Sequence, residues 1–230
     1  MSLSTHTFEN SDELVTVFSQ RIADTLKQAI AEKNQATLVV SGGSTPLPLF
    51  KSLCQRDLDW SKVVITLADE RWVDAQHSAS NEKLVRENLL QQNAANATFI
   101  SLTTNDELAA DAVEEITSRF ASVSQPFDVL ILGMGEDGHT ASLFPCSEQI
   151  EAGLDTNSSA MFIATQPTTA PHQRMSLTLK ALISSANIYL HLTGEKKKNV
   201  LEDALANYTE IQKPIKAVCD RADVQLMWAP

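Results

Sequence analysis

Short apolar runs alternate along the chain with longer segments of helical periodicity. The apolar runs are rich in β-branched residues and predict strands; they read ATLVV, KVVITLA, ATFISL, FDVLIL, AMFIAT, NIYLHL and VQLMW. The clearest helix is predicted over residues 12–33, where apolar side chains recur every three or four positions. Asn10 and Glu13 resemble a capping box at its start. Further helices are predicted to begin near four positions: Pro46, Asn81, Asp106 and Glu195.

This alternation predicts the fold class. Strands that are apolar throughout and separated by helices are typical of a parallel sheet covered on both faces. We therefore expect an α/β fold, with a doubly wound, mostly parallel, Rossmann-like sheet and helices on both faces. No repeat, low-complexity tract or linker divides the 230 residues, which predicts a single domain over residues 1–230. Ligands of such sheets bind beyond the carboxyl ends of the strands, so a site is expected in the loops that follow them.

Composition excludes several classes of function. A formal net charge of -11 opposes binding to nucleic acid, which requires a basic face. No run reaches the roughly 18 apolar residues of a membrane span, and the chain does not begin like a secretion signal. We therefore expect a cytoplasmic protein without a membrane partner. Cys54, Cys146 and Cys219 show no C-x-x-C spacing and are expected to be small buried residues rather than disulfide or zinc ligands.

The loop after ATLVV combines glycines with hydroxyl side chains. Its residues are Ser41, Gly42, Gly43, Ser44 and Thr45. The glycines allow a tight turn and a close approach to a ligand, while hydroxyl and backbone N–H groups suit an anion. Pro46 can open the following helix without losing a hydrogen bond. The loop fits a phosphate site and, equally well, a structural turn in which Thr45 caps the helix.

Charged residues follow two further strands. KVVITLA leads into the triplet Asp69, Glu70 and Arg71, which would face a ligand at the end of a parallel strand. Lysines occupy residues 196–198 after NIYLHL, and Arg174 precedes another apolar stretch. Taken separately, each group also fits a solvated surface.

The stretch GMGEDGHTASLFP, residues 133–145, follows the strand FDVLIL. Its glycines fit the G-x-G-x-x-G motif of dinucleotide sites, but the acidic residue expected about 20 positions later is Gln166 here. Glu136 and Asp137 would also oppose a pyrophosphate. The stretch is better explained by His139 acting as a general base beside Asp137. The remaining histidines, which we interpret as core or surface residues, are His6, His77, His172 and His191.

Taken together, these motifs resemble those of 6-phosphogluconolactonases. SGGSTP, DERWV, SNEKLVRENLL, GMGEDGHTASLFP, RMSLTL and GEKKKNVL occur in the order of that family and span nearly the whole chain. One local departure is Cys146, where the family often has Gly. The resemblance implies hydrolysis of 6-phospho-D-glucono-1,5-lactone to 6-phosphogluconate, in the oxidative pentose phosphate pathway, without a metal or organic cofactor. The implied partner is this phosphorylated sugar lactone, bound by a monomer or homodimer.

The resemblance also implies residue roles. His139 would be the general base, and Asp137 would orient its imidazole or contact substrate hydroxyls. Arg71 would hold the phosphate or the developing negative charge. Asp69 and Glu70 are expected among the substrate-binding residues.

The phosphate is assigned by the same resemblance to the 41–45 loop with Arg174 and Lys197, which is the lysine of the family's G-x-x-K spacing. The fold is expected to be similar to that of glucosamine-6-phosphate deaminases. Those enzymes carry Glu before the final Pro of the D-G-H loop, where this chain has Phe144, and they lack the arginine found here as Arg71. Two alternatives stay open: a sugar-phosphate isomerase or deaminase of the same fold, and a non-catalytic sugar-phosphate-binding protein.

Overall fold

A seven-stranded sheet lies at the centre of the computed structural model, which describes residues 2–230. Its strands run in the order β1-β10-β9-β6-β2-β3-β5, and every neighbouring pair is parallel. The ten strands of the fold are β1 (Leu3–Thr7), β2 (Ala36–Val40), β3 (Val63–Leu67), β4 (Asp69–Arg71), β5 (Thr98–Phe99), β6 (Val129–Leu132), β7 (Phe162–Thr165), β8 (Arg174–Leu177), β9 (Ile188–Thr193) and β10 (Val224–Ala229). The parallel sheet with its helices confirms the predicted α/β fold class.

Eight α-helices surround the strands within the described residues. They are α1 (Ser11–Lys33), α2 (Leu47–Leu53), α3 (Asn81–Asn88), α4 (Val113–Ser118), α5 (Ile150–Leu154), α6 (Leu179–Ile183), α7 (Glu195–Asn207) and α8 (Pro214–Arg221). Helices begin as predicted at Asn81 and Glu195, and within one residue of Pro46. The helix predicted near Asp106 begins only at Val113, after a 3-10 turn. None of the described helices has the length and apolar character needed to cross a membrane.

A second, three-stranded antiparallel sheet was not predicted. It has the order β4-β8-β7, and Arg71 lies opposite Arg174 in its register. The apolar run AMFIAT forms β7 in this small sheet and not in the parallel one, because an apolar run alone does not reveal its pairing partner. β4 and β8 are short and carry charged residues, so they give no apolar signal.

Helix α1 matches its predicted pattern. Leu14, Phe18, Ile22 and Leu26 are fully buried in the core. Half of the predicted capping box forms: Asn10 Oδ1 accepts a hydrogen bond from Glu13 N at 2.9 Å. The Glu13 carboxylate instead accepts the N–H of Glu9. Of the cysteines, Cys54 and Cys219 are buried as expected, whereas Cys146 is only half-buried.

A buried carboxylate connects the end of α1 to the sheet. Asp128 Oδ2 accepts hydrogen bonds from the backbone N–H and the hydroxyl of Thr37 at 2.8 and 3.0 Å. Its Oδ1 lies 2.6 Å from Lys33 Nζ, and its carbonyl accepts from Asn187. Asp128, which directly precedes β6, therefore connects three parts of the fold: the end of α1, strand β2 and the segment before β9.

Replacing Asp128 with Ala should destabilise the fold. The Thr37 N–H would stay buried without an acceptor, and Lys33 would lose its partner, so the free energy of unfolding should fall by roughly 2–4 kcal/mol. Urea denaturation would measure the change. Glu115→Ala serves as the control, because it breaks an exposed Glu115–Arg119 pair and should cost less than about 0.5 kcal/mol. Equal effects of the two substitutions would contradict the role given to Asp128.

Candidate active site

The loops after β2, β6 and β9 enclose a cavity of about 480 Å³, together with strands β4 and β8. The predicted site residues that line it are Ser41, Gly42, Gly43, Ser44, Thr45, Asp69, Arg71, His139, Arg174 and Lys197. Two further depressions on the surface, one along α1 and one beside Trp72, are larger at about 630 and 690 Å³. Neither is lined by any of these residues. The parallel sheet thus brings distant motifs together at one edge, as predicted for strand ends.

The 41–45 loop approaches the Asp69–Arg71 strand closely. A Cβ on Gly42 would lie 1.9 Å from Asn81 Oδ1, so no larger residue fits there without a shift. The Asn81 amide in turn donates to the carbonyl of Asp69 at 2.9 Å. Gly43 has a φ of +97°, a conformation that favours glycine. Asn81 was not predicted as a site residue, although it is the second residue of the motif SNEKLVRENLL.

Hydroxyl groups of this loop are available to a ligand. Helix α2 has Pro46 as its N-cap and no side-chain capping bond, so the alternative of a Thr45 cap is not observed. Ser41 Oγ donates to the carbonyl of Ile131. Among residues 2–230, the hydroxyls of Ser44 and Thr45 have no hydrogen-bond partner, which leaves both free to bind an anion.

His139 and Asp137 form a pair in the 133–145 loop. His139 Nδ1 lies 2.5 Å from Asp137 Oδ1, and the same oxygen accepts the backbone N–H of His139 at 3.2 Å. Burial raises the pKa of Asp137, but the hydrogen bond and charge of His139 outweigh burial and hold that pKa below its ordinary value. An ionised Asp137 is an acceptor only, so it favours the proton on Nδ1 and leaves the Nε2 lone pair of His139 as a base.

An aromatic ring stacks on the imidazole of His139. Phe144 stacks on the imidazole with ring centroids 4.0 Å apart and an interplanar angle of 23°. The Arg174 guanidinium lies 5.5 Å from the centroid of the same phenyl ring. Phe144 therefore contacts both the predicted base and a predicted phosphate ligand. The sequence signalled this residue only as a difference from the deaminases.

The turn around His139 leaves no space beside Gly135. Gly135 N donates to the carbonyl of His139 at 2.9 Å. A Cβ on Gly135 would lie 2.2 Å from His139 Nδ1 and 2.5 Å from Asp137 Oδ1. The motif thus requires glycine at position 135 so that the His139–Asp137 pair can form.

Two arginines lie side by side in the small sheet and line the cavity. Arg71 Nη1 donates to the carbonyl of Ala79 at 2.6 Å, and Arg174 Nη2 donates to that of Pro171 at 3.2 Å. The Nε atom of each is buried and has no partner among the described residues. Burial lowers the pKa of Arg174 and the nearby Arg71 lowers it further, while Asp69 raises it. A buried Arg174 and a half-buried Arg71, each with an unused Nε–H donor, suit a multiply charged anion.

Lys197 supplies a third cation. Its Nζ donates to the carbonyl of Met134 at 2.5 Å, and burial lowers its pKa despite the nearby Glu136 and Asp137. Lys196 instead points outward, where its side chain is 73% exposed and pairs with Glu136. The lysine chosen by the G-x-x-K spacing is therefore the one that reaches the cavity.

Asp69 and Glu70 occupy different environments. Asp69 lines the cavity and accepts a hydrogen bond from Ser142 Oγ at 2.5 Å, which ties β4 to the 133–145 loop. Glu70 is 1% exposed and is not among the residues that line the cavity.

Four donors saturate the Glu70 carboxylate. They are the backbone N–H groups of Arg71, Asn81 and Glu82, each at 2.7 Å, and the hydroxyl of Ser80 at 3.0 Å. Burial raises the pKa of Glu70, and these hydrogen bonds oppose the increase. Glu70 therefore fixes β4 to the first turn of α3.

No set of three or more His, Cys, Asp or Glu side chains in residues 2–230 is arranged to hold a metal ion.

Sequence comparisons find close relatives over the full chain. The model of the family described as "Glucosamine-6-phosphate isomerases/6-phosphogluconolactonase" matches residues 9–228. A 6-phosphogluconolactonase of Rhizobium meliloti is 41% identical over 232 residues, covering 100% of each chain. One from Neisseria meningitidis serogroup A is 42% identical over 223 residues, covering 95% of each.

Solved structures show the same relationship. A 6-phosphogluconolactonase from Shewanella baltica is similar with a TM-score of 0.96 and 43% identity, covering 100% of this chain and 98% of that one. A monomeric glucosamine-6-phosphate deaminase is similar with a TM-score of 0.78 at 17% identity, covering 98% of this chain and 96% of that one. The second likeness concerns the fold alone.

Gly135→Ala should break the His139–Asp137 hydrogen bond while sparing the fold. The new methyl group would overlap the imidazole, which can rotate away at little cost to the core. We expect the downfield Nδ1–H proton resonance of His139 to disappear from the NMR spectrum. The free energy of unfolding should change by less than about 1 kcal/mol, as is usual away from the core.

Gly133→Ala is the matched control for this change. A Cβ at Gly133 meets no atom within 4 Å, so the His139 resonance should persist. If the resonance survived in Gly135→Ala as well, the close packing inferred around the imidazole would be wrong.

Proposed function

The chain belongs to the family of glucosamine-6-phosphate isomerases and 6-phosphogluconolactonases, and on this basis we propose that it hydrolyses 6-phospho-D-glucono-1,5-lactone to 6-phosphogluconate with His139 as the general base. The observation that carries the mechanism is the His139–Asp137 pair, which holds the imidazole at a cavity lined by three cations. We further propose a single catalytic domain over residues 1–230, acting in the cytoplasm as a monomer or homodimer without a metal or organic cofactor.

The chemistry requires one group that accepts and returns a proton. His139 Nε2 removes a proton from water, whose oxygen attacks the lactone carbonyl carbon. The tetrahedral intermediate carries negative charge on the former carbonyl oxygen. Its collapse breaks the bond to the ring oxygen, which takes the proton back from His139 and becomes the C5 hydroxyl. Asp137 stays ionised throughout and stabilises the transient imidazolium.

We divide the three cations of the cavity between the phosphate of the substrate and the oxyanion of the tetrahedral intermediate. We assign the phosphate to the Ser44 and Thr45 hydroxyls with Arg174 and Lys197. We assign Arg71 to the oxyanion, because its Nε–H is buried without a partner among the described residues and Arg71 lies opposite Arg174 in the register of β4 with β8. Preorganised donors of this kind stabilise charge that develops in the transition state.

Turnover of the freshly generated lactone tests the proposal against its alternatives. Acid release above the spontaneous rate, followed with a pH indicator, is the expected result. Turnover of glucosamine 6-phosphate in its place would indicate a deaminase. Binding of 6-phosphogluconate without any turnover would indicate a sugar-phosphate-binding protein.

His139→Asn should lower kcat by about 10²- to 10⁴-fold, because asparagine cannot accept a proton near neutral pH. Affinity for 6-phosphogluconate, measured by calorimetry, should stay near that of wild type. All rates need correction for spontaneous hydrolysis. His172→Asn is the control, since His172 does not line the cavity. Retention of most of kcat in His139→Asn would remove the base from the mechanism.

Lys197→Ala should reduce kcat/KM by about 10- to 100-fold, the equivalent of one charge-assisted hydrogen bond to phosphate. Lys196→Ala should have almost no effect, because Lys196 lies outside the cavity in an exposed ion pair. Steady-state kinetics on the same lactone would compare the two variants. Similar losses in both would mean that bulk charge, and not a phosphate contact, is the cause.

A further inference from the structure

His191 lies in the cavity wall although the sequence pattern NIYLHL marks it as a core residue. It sits near the carboxyl end of β9 and is 4% exposed. It lines the 480 Å³ cavity and also a smaller cavity of about 250 Å³ on the α1 side. In both cavities its neighbours in the wall include Ser44, Thr45 and Thr193. His191 is thus next to the hydroxyl groups assigned to the phosphate.

The ring of His191 lacks the hydrogen bonds that buried polar groups normally make. Nδ1 is sealed from solvent and has no partner among the described residues. Nearly all buried polar atoms in native proteins have a partner, so an imidazole whose Nδ1 has none is unusual, and Nε2 is the nitrogen left to interact with a ligand. Phe18 packs edge-on against the imidazole at 5.6 Å and an angle of 80°, which fixes the ring plane.

The environment keeps the imidazole neutral. Burial lowers the pKa of His191 to about 4, so at neutral pH the ring carries one N–H and one lone pair. A buried Nδ1–H without an acceptor is costly, which favours the proton on Nε2. A neutral N–H donor can bind an anion without adding another buried charge next to Lys197.

We propose that His191 is a positioning residue for the phosphorylated substrate, and that its Nε2–H donates a hydrogen bond to the phosphate held by Ser44 and Thr45. This inference rests on the proposed function for the identity of the substrate. The phosphate is the group that fits, because the shared wall of the two cavities offers hydroxyl and imidazole donors, and no carboxylate from residues 2–230 lines the smaller cavity.

His191→Phe tests the hydrogen bond while keeping a planar ring against Phe18. KM for the phosphorylated lactone should rise about 10-fold, the effect of one hydrogen bond to a charged group, with kcat within about twofold of wild type. For glucono-1,5-lactone, which has no phosphate, kcat/KM should not change. His191→Gln retains an N–H donor and should recover most of the lost affinity. If phenylalanine prevented folding, His191→Leu would take its place.

The readouts separate a phosphate contact from a structural role. An unchanged KM, an equal fall in kcat/KM for both lactones, or a Gln variant as weak as Phe would overturn the proposal. Affinity for inorganic phosphate, measured by calorimetry on wild type and His191→Phe, gives a test without turnover. It should fall about 10-fold; equal affinities would count against His191. A wild-type protein that failed to hydrolyse the lactone would refute the proposed function, and the phosphate comparison would still decide the role of His191.

Discussion

The buried Glu70 carboxylate is the contact on which the geometry of the site depends. It binds three backbone N–H groups and one hydroxyl, and so fixes strand β4 to the first turn of α3. Side chains alternate along a strand, so a Glu70 that points away from the cavity directs Asp69 and Arg71 towards it. Asp69 then holds Ser142 of the 133–145 loop, and Arg71 faces Arg174. One buried acid thereby determines where two cavity residues stand.

The strength of the apolar pattern in each segment decides which parts of the molecule the sequence could predict. The long helix carries strong apolar periodicity and six of the seven parallel strands carry apolar runs, and these were predicted correctly, whereas β1 was not, because its sequence LSTHT is mostly polar. The small sheet was not, because Asp69–Arg71 is too short and too polar to resemble a strand. Had this triplet been recognised as a strand, the alternation of side chains would have predicted that Glu70 points to the opposite face from Asp69 and Arg71. Phe144 was noted only as a difference from the deaminases, and His191 only as a core or surface residue, because aromatic rings beside apolar residues look like core until the cavity next to them is visible.

The charge of the cavity opposes that of the whole chain. The net charge is -11, yet the cavity is lined by Arg71, Arg174 and Lys197, with Asp69 as the carboxylate among its lining residues. Surface charges farther than a Debye length of about 8–10 Å are largely screened at physiological salt, so nearby groups dominate what a ligand experiences. The register of β4 with β8 concentrates two of these cations at one point. An acidic protein can therefore hold a phosphorylated substrate without a basic surface.

Phe144 links this electrostatic arrangement to the chemistry of the site. Its ring stacks on His139 and also lies near Arg174, so the positions of the proposed base and of the proposed phosphate ligand depend on the same side chain. A phenyl ring offers no proton and excludes water from the face of the imidazole that it covers. A carboxylate at this position would bring a second negative charge and a second proton acceptor close to His139. Lactone hydrolysis needs only one group that takes a proton from water and returns it to the ring oxygen. With Phe144 in place of an acid, the mechanism proposed above has His139 as its single proton carrier, oriented by Asp137.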